Sequence, residues 1–168
     1  MLQLVTFETP EGSKTGLLTN DKVYPSGRFM HTMEVLADWA DADSKLETLG
    51  DKLAGREPVA SPKFLAPLLN PRNIYFAGAN YRDHVAEMKA TLGMPLDADP
   101  KSKGHKPWFS LKATGPTVVG PGAKVALPRD TQMLDWELEL AVVIGKTAKN
   151  VAAKDVADYV AGYTIAND

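Results

Sequence analysis

Residues 134–145 read Leu-Asp-Trp-Glu-Leu-Glu-Leu-Ala-Val-Val-Ile-Gly, an alternation of apolar and acidic side chains that turns wholly apolar. Successive side chains of an extended chain point to opposite faces, so the pattern predicts a long strand over Leu134–Ile144 with two unlike sides. Leu134, Trp136, Leu138, Leu140 and Val142 share one face; Asp135, Glu137, Glu139, Ala141 and Val143 share the other. That second face begins with three carboxylates and then becomes apolar, an odd succession for plain solvent surface. Partly buried carboxylates on one face repel each other, and a bound cation relieves the repulsion. Glu137 and Glu139 can both aim at one point, and oxygen-only ligands favour Mg²⁺, Ca²⁺ or Mn²⁺ over zinc. Taken alone, the strand also reads as an exposed acidic stripe at a sheet edge.

The rest of the composition narrows the chemistry. The absence of cysteine excludes disulfides, thiolate metal sites and cysteine nucleophiles, and it suits a reducing cytoplasm. Residues 1–8 carry neither a basic start nor a long apolar stretch, so no signal peptide is expected. No apolar run approaches the roughly 20 residues of a membrane-spanning helix. The densest basic cluster, residues 101–106, reads as a solvated loop; with a net charge of −2, nucleic acid is not an expected partner.

Along the chain, residues 1–56 read as a small α+β domain. Its strands alternate from Leu2, a turn follows at residues 9–12, and residues 16–24 suggest a hairpin around Thr19-Asn20-Asp21. A helix is expected from Thr32 with Met33, Leu36 and Trp39 on its inner face. A second, capped by Ser44, would carry Leu46, Leu49 and Leu53 and stop at Gly55. Residues 57–72 carry Pro58, Pro62, Pro67 and Pro71, which suits an extended crossing between modules. From residue 73 onward strands dominate: residues 73–78, 108–112, 124–127, 134–144 and 162–166. A helix is expected over Asn80–Leu92, a loop over residues 93–106, and a short helix over Asp155–Val160.

Within Asn80–Leu92, His84 and Glu87 lie three apart and share one helix face. A carboxylate beside a histidine fixes its tautomer and raises its basicity, as a general base acting on water requires. A solvated surface pair is the plain alternative.

Four segments in order resemble the fumarylacetoacetate hydrolase family: Asn80-Tyr81-Arg82-Asp83-His84 with Glu87, Phe109-Ser110-Leu111-Lys112, residues 135–146, and residues 159–168. The resemblance covers residues 70–168 and implies a mainly β (α+β) fold, a rolled β-sandwich with a small N-terminal domain. Residues 73–168 would then form the first part of the catalytic domain. It assigns the metal ligands to Glu137, Glu139 and Asp168, and it implies Mg²⁺, or else Mn²⁺ or Ca²⁺, as the cofactor. His84 and Glu87 would be catalytic, on a short lid helix that closes over substrate, and Tyr81 and Lys112 would bind substrate. Asp83 matches a position that ligates metal in some relatives. Ser110 and Ala113 depart from the apolar and proline residues that often flank that lysine.

The implied chemistry is hydrolysis of a carbon–carbon bond in a 2,4-dioxo acid. A divalent ion would polarise the ketone and stabilise the departing enolate, while His84, oriented by Glu87, would deprotonate the attacking water. Relatives also decarboxylate or isomerise keto-enol acids with the same site, and an inactive binding module is the third reading. The expected partners are a small keto-enol acid and a second copy of the chain, since a homodimer is the family habit. Family members continue well beyond the third ligand, so a further C-terminal segment is also expected.

Overall fold

The computed structural model describes residues 3–27, 31–39, 41–42, 44, 46, 53, 55–97 and 99–168. These residues form two compact units, one of Met1–Asn70 with Val118–Asp168 and one of Pro71–Thr117.

In the first unit, β1 (Gln3–Thr9), β2 (Gly12–Thr19) and β3 (Lys22–Pro25) make an antiparallel sheet in sequence order. Asn20 and Asp21 between β2 and β3 have φ of 48° and 59°. A two-residue hairpin turn that matches strand twist needs positive φ at both positions, which Asn and Asp tolerate better than other side chains. The sheet packs on α1 (Thr32–Ala37) around a core of Leu17, Val35, Ala42, Leu46 and Leu53, flanked by Leu4, Tyr24 and Trp39. The buried face of α1 is Thr32 and Val35, while Met33, Leu36 and Trp39 are only half-buried. Hydroxyl pairing explains this register: Thr32 Oγ1 lies 2.9 Å from Thr6 Oγ1 and 3.4 Å from Thr15 Oγ1. Buried hydroxyls need such partners, so Thr32 is drawn inward with Val35.

The second predicted helix is corrected in part. Asp41 and Ala42 are already helical, and the Ser44 hydroxyl donates to the Asp41 carbonyl at 3.1 Å, so Ser44 does not cap a helix starting there. Leu49 lies outside the described residues. The proline-rich segment lies extended against the sheet. Its free amides make the links: Val59 N–H donates to Val23, and Leu65 N–H donates to Thr6, both at 2.8 Å. In return, the Glu8 N–H donates to Lys63 at 2.9 Å. Proline lacks an N–H, so pairing alternates around it instead of forming a continuous ladder.

The same unit holds β6 (Leu138–Ile144) and β7 (Val160–Asn167), which pair antiparallel. The strand expected from Leu134 begins at Leu138. The preceding amides turn away from the ladder: Trp136 N–H donates to Asp135 Oδ1 and Glu137 N–H to Asn167 Oδ1, each at 2.8 Å. The short helix expected over Asp155–Val160 is a 3₁₀ turn over Ala153–Tyr159, and Val160 already belongs to β7. Residues 124–127 are not a strand, because no described segment pairs with them.

In the second unit, β4 (Ile74–Ala77) pairs antiparallel with β5 (Phe109–Lys112). Between them run α2 (Arg82–Leu92) and a 3₁₀ turn at Pro100–Lys103. Gly93 ends α2 with φ of 64°, the left-handed conformation that commonly closes a helix. Among the described residues, no helix is long and apolar enough to cross a membrane.

Leu17 is completely buried against Val35 and its neighbours. Leu17→Ala should therefore lower the unfolding free energy by about 2–5 kcal/mol in urea titration; a loss under about 1 kcal/mol would contradict this core assignment.

Candidate metal centre and helix pair

The β6–β7 register pairs Glu139 with Ala166 and Ala141 with Thr164. Two residues further out on the same face stand Glu137 and Asp168, where the Asp168 N–H donates to the Glu137 carbonyl at 3.0 Å. Period-two alternation therefore places all three carboxylates on one side of the ladder. One ligand oxygen from each of Glu137, Glu139 and Asp168 lies within 4.8 Å of the others. Glu139 and Asp168 are half-buried and Glu137 is exposed.

Along β6 the half-buried positions are Glu139, Ala141 and Val143, and the exposed ones are Leu138, Leu140, Val142 and Ile144. The acidic side is thus the more enclosed of the two. Its neighbours across the ladder, Ala166 and Thr164, are small, so the carboxylates are not crowded by bulky side chains. A bulge between Val143 and Ile144 shifts the register only beyond this point, and the Gly145 N–H then donates to the Tyr159 carbonyl at 2.8 Å.

The donor set suits a hard divalent cation. Three carboxylates supply oxygen alone, with no imidazole or thiolate that would select zinc or copper. In the second unit, Asp83 Oδ1 accepts the His84 N–H at 3.0 Å within the first turn of α2.

In the second unit, His84 and Glu87 lie one helical turn apart, with Nδ1 3.7 Å from Oε2. That distance permits an ion pair and is too long for a hydrogen bond. Both side chains are solvent-accessible. Tyr81 occupies the N-cap of α2 without a side-chain cap bond and is exposed. Lys112 is half-buried, with Nζ 5.1 Å from the centroid of the Phe76 ring, within range for a cation–π contact. Residues 101–106, expected as a solvated loop, are exposed, and ion pairs tie this region to the first residue of α2 and within itself. Arg82 meets Asp99 at 3.4 Å, and Lys103 meets Asp97 at 2.7 Å.

The Lys103 ammonium, with help from the Asp99 N–H, holds the Asp97 carboxyl below its ordinary range, and Asp97 in turn raises Lys103. A depressed carboxyl stabilises the fold above its unfolded pKa and loses that contribution as pH falls through the folded value. NMR titration should find Asp97 below the usual aspartate midpoint and moved upward in Lys103→Gln; an unchanged midpoint in the variant would refute the pairing.

Residues 73–168 match the family model described as fumarylacetoacetate (FAA) hydrolase C-terminal. A Xenopus laevis protein named as a mitochondrial oxaloacetate tautomerase is 34% identical over 75% of this chain and 37% of its own length. A human protein named likewise is 40% identical over 66% of this chain and 32% of its own. The chain thus spans about a third of the length of these curated relatives. A solved fumarylacetoacetate hydrolase from Exiguobacterium antarcticum superposes with a TM-score of 0.66 at 24% identity, covering all of this chain and 56% of that one. At that identity the likeness is one of fold, and the fold is mainly β with few helices.

Glu137→Gln removes one exposed carboxylate of the candidate centre and should leave the fold intact. Calorimetry should show Mg²⁺ affinity at least about tenfold weaker, since even outer partners of metal ligands cost that much when removed. Equal affinity in the variant would show that the cluster is not the binding site.

Proposed function

The chain belongs to the fumarylacetoacetate hydrolase family, and from that premise we propose that it is the cation-binding part of an enzyme that interconverts the keto and enol forms of a 2-oxo dicarboxylic acid. The observation that carries this reading is the convergence of Glu137, Glu139 and Asp168 from one strand pair. The relatives named oxaloacetate tautomerases give it its direction. The three carboxylates suit a hard, oxygen-binding cation, Mg²⁺ or else Mn²⁺ or Ca²⁺. Held by Glu137, Glu139 and Asp168, such an ion would supply positive charge that favours the enolate over the ketone.

The protein's own side chains supply the remaining steps. Neutral His84 accepts the proton from the carbon between the two carbonyl-bearing centres, and the imidazolium returns it to oxygen, so the atoms balance without water. Glu87, 3.7 Å from His84 Nδ1, stabilises the imidazolium by charge. Lys112 is suited to pair with a substrate carboxylate, its direction set by the face of Phe76. The Tyr81 hydroxyl is suited to donate to a substrate oxygen.

Carbon–carbon hydrolysis is the second reading, favoured by the same histidine–carboxylate pair, which suits activation of water. Products separate the two. Incubation of the full chain with Mg²⁺ and oxaloacetate should speed the decay of enol absorbance without forming pyruvate. Release of pyruvate and a second acid from an acylpyruvate would establish the hydrolase, whereas CO₂ release would mark a decarboxylase. His84→Asn should lower kcat by about 10²–10⁴, and full activity in that variant would remove His84 from the mechanism.

A further inference from the structure

The β4–β5 register pairs Ala77 with Phe109, so the next opposed pair is Gly78 and Trp108. A Cβ added to Gly78 would lie 1.8 Å from Cη2 of the Trp108 indole and 2.2 Å from Cζ2. Gly78 is not among the glycines with positive φ, so glycine is required there for space and not for backbone freedom. The indole takes the volume that a side chain would fill. Trp108 is nonetheless 56% exposed, which is too open for a residue whose purpose is to fill a core.

The residues that follow make this contact consequential. Ala79 has φ of 50°, a left-handed conformation that an alanine holds only when its surroundings impose it. Tyr81 then caps α2 without a side-chain bond, and Val85 is the buried residue of the helix. The direction of α2 is therefore set by the turn over Gly78–Asn80 and the Val85 anchor, with the exposed Arg82–Asp99 pair as a further tether at its first residue.

We propose that Trp108 is a positioning residue: by lying on Gly78 it holds the turn that launches α2 and so fixes the orientation of the His84–Glu87 pair. The functional meaning rests on the reading of that pair as the proton-transfer machinery; the mechanical statement does not.

The test is NMR on the full chain bearing Trp108→Leu, Trp108→Phe, Gly78→Ala, and Gly78→Ala combined with Trp108→Leu. Trp108→Leu should quicken amide exchange over residues 85–88, the first hydrogen-bonded amides of α2, by about tenfold or more and displace the His84 ring signals. The β6 and β7 amides should stay unchanged. Trp108→Phe, which keeps an aromatic ring over the glycine, should recover most of the native signals. Gly78→Ala should perturb the same residues while Trp108 is present, and should add little once Trp108 is leucine. Native exchange and native His84 signals in Trp108→Leu, or additive effects of the two substitutions, would overturn the proposal. If Trp108→Leu fails to fold, native helix signals in Gly78→Ala would overturn it equally. Neither readout uses turnover, so the proposal stands or falls independently of the keto-enol reading.

Discussion

The candidate centre depends on one short piece of antiparallel ladder. Between Leu138↔Asn167 and Ala141↔Thr164 the register of β6 and β7 decides which side chains share a face. A slip of one residue would send a whole strand's side chains to the other side of the ladder and separate Asp168 from the two glutamates. Two bonds just outside the ladder hold that register at the working end: the Asp168 amide to the Glu137 carbonyl, and the Glu137 amide to the Asn167 side chain. Asn167 thus ends the strand and clamps the ligand-bearing residues together. One carboxylate oxygen of each residue lies within 4.8 Å of the others, close enough for one cation to meet all three.

The helix pair follows a different logic. His84 and Glu87 are neighbours because a helix turns every 3.6 residues, whatever else the chain does. The ligand set needs long-range pairing between residues 137 and 168, while the helix pair needs only a well-directed α2. Local spacing supplies the pair, and the turn before the helix supplies the direction. Lys112 depends on the β4–β5 pairing, which brings it beside Phe76.

These differences explain what could be read from the sequence. Period-two alternation exposed the shared face of Glu137 and Glu139, and helical spacing exposed His84 with Glu87. Asp168 carried no local signal, since its role comes from a strand paired across a gap of 29 residues, and only family resemblance pointed to it. The boundaries were less legible. Propensity alone did not show that the amides of Trp136 and Glu137 would turn to Asp135 and Asn167, so β6 starts four residues later than the pattern suggests. Residues 124–127 have strand-like composition, yet a strand exists only with a partner. In α1, apolar spacing favoured Met33, whereas hydrogen bonding among Thr6, Thr15 and Thr32 selected the face of Val35. Gly78 looked like turn punctuation, and only three dimensions show that it makes room for Trp108.

Whether Glu137, Glu139 and Asp168 together hold a divalent cation is open to direct test. The most direct measurement is anomalous X-ray scattering from crystals of the protein grown with Mn²⁺. One strong peak should appear, bounded by carboxylate oxygens of Glu137, Glu139 and Asp168, with metal–oxygen distances of about 2.0–2.6 Å, the range for hard divalent cations. Crystals with no peak there at saturating Mn²⁺, or with the peak at other side chains, would contradict it.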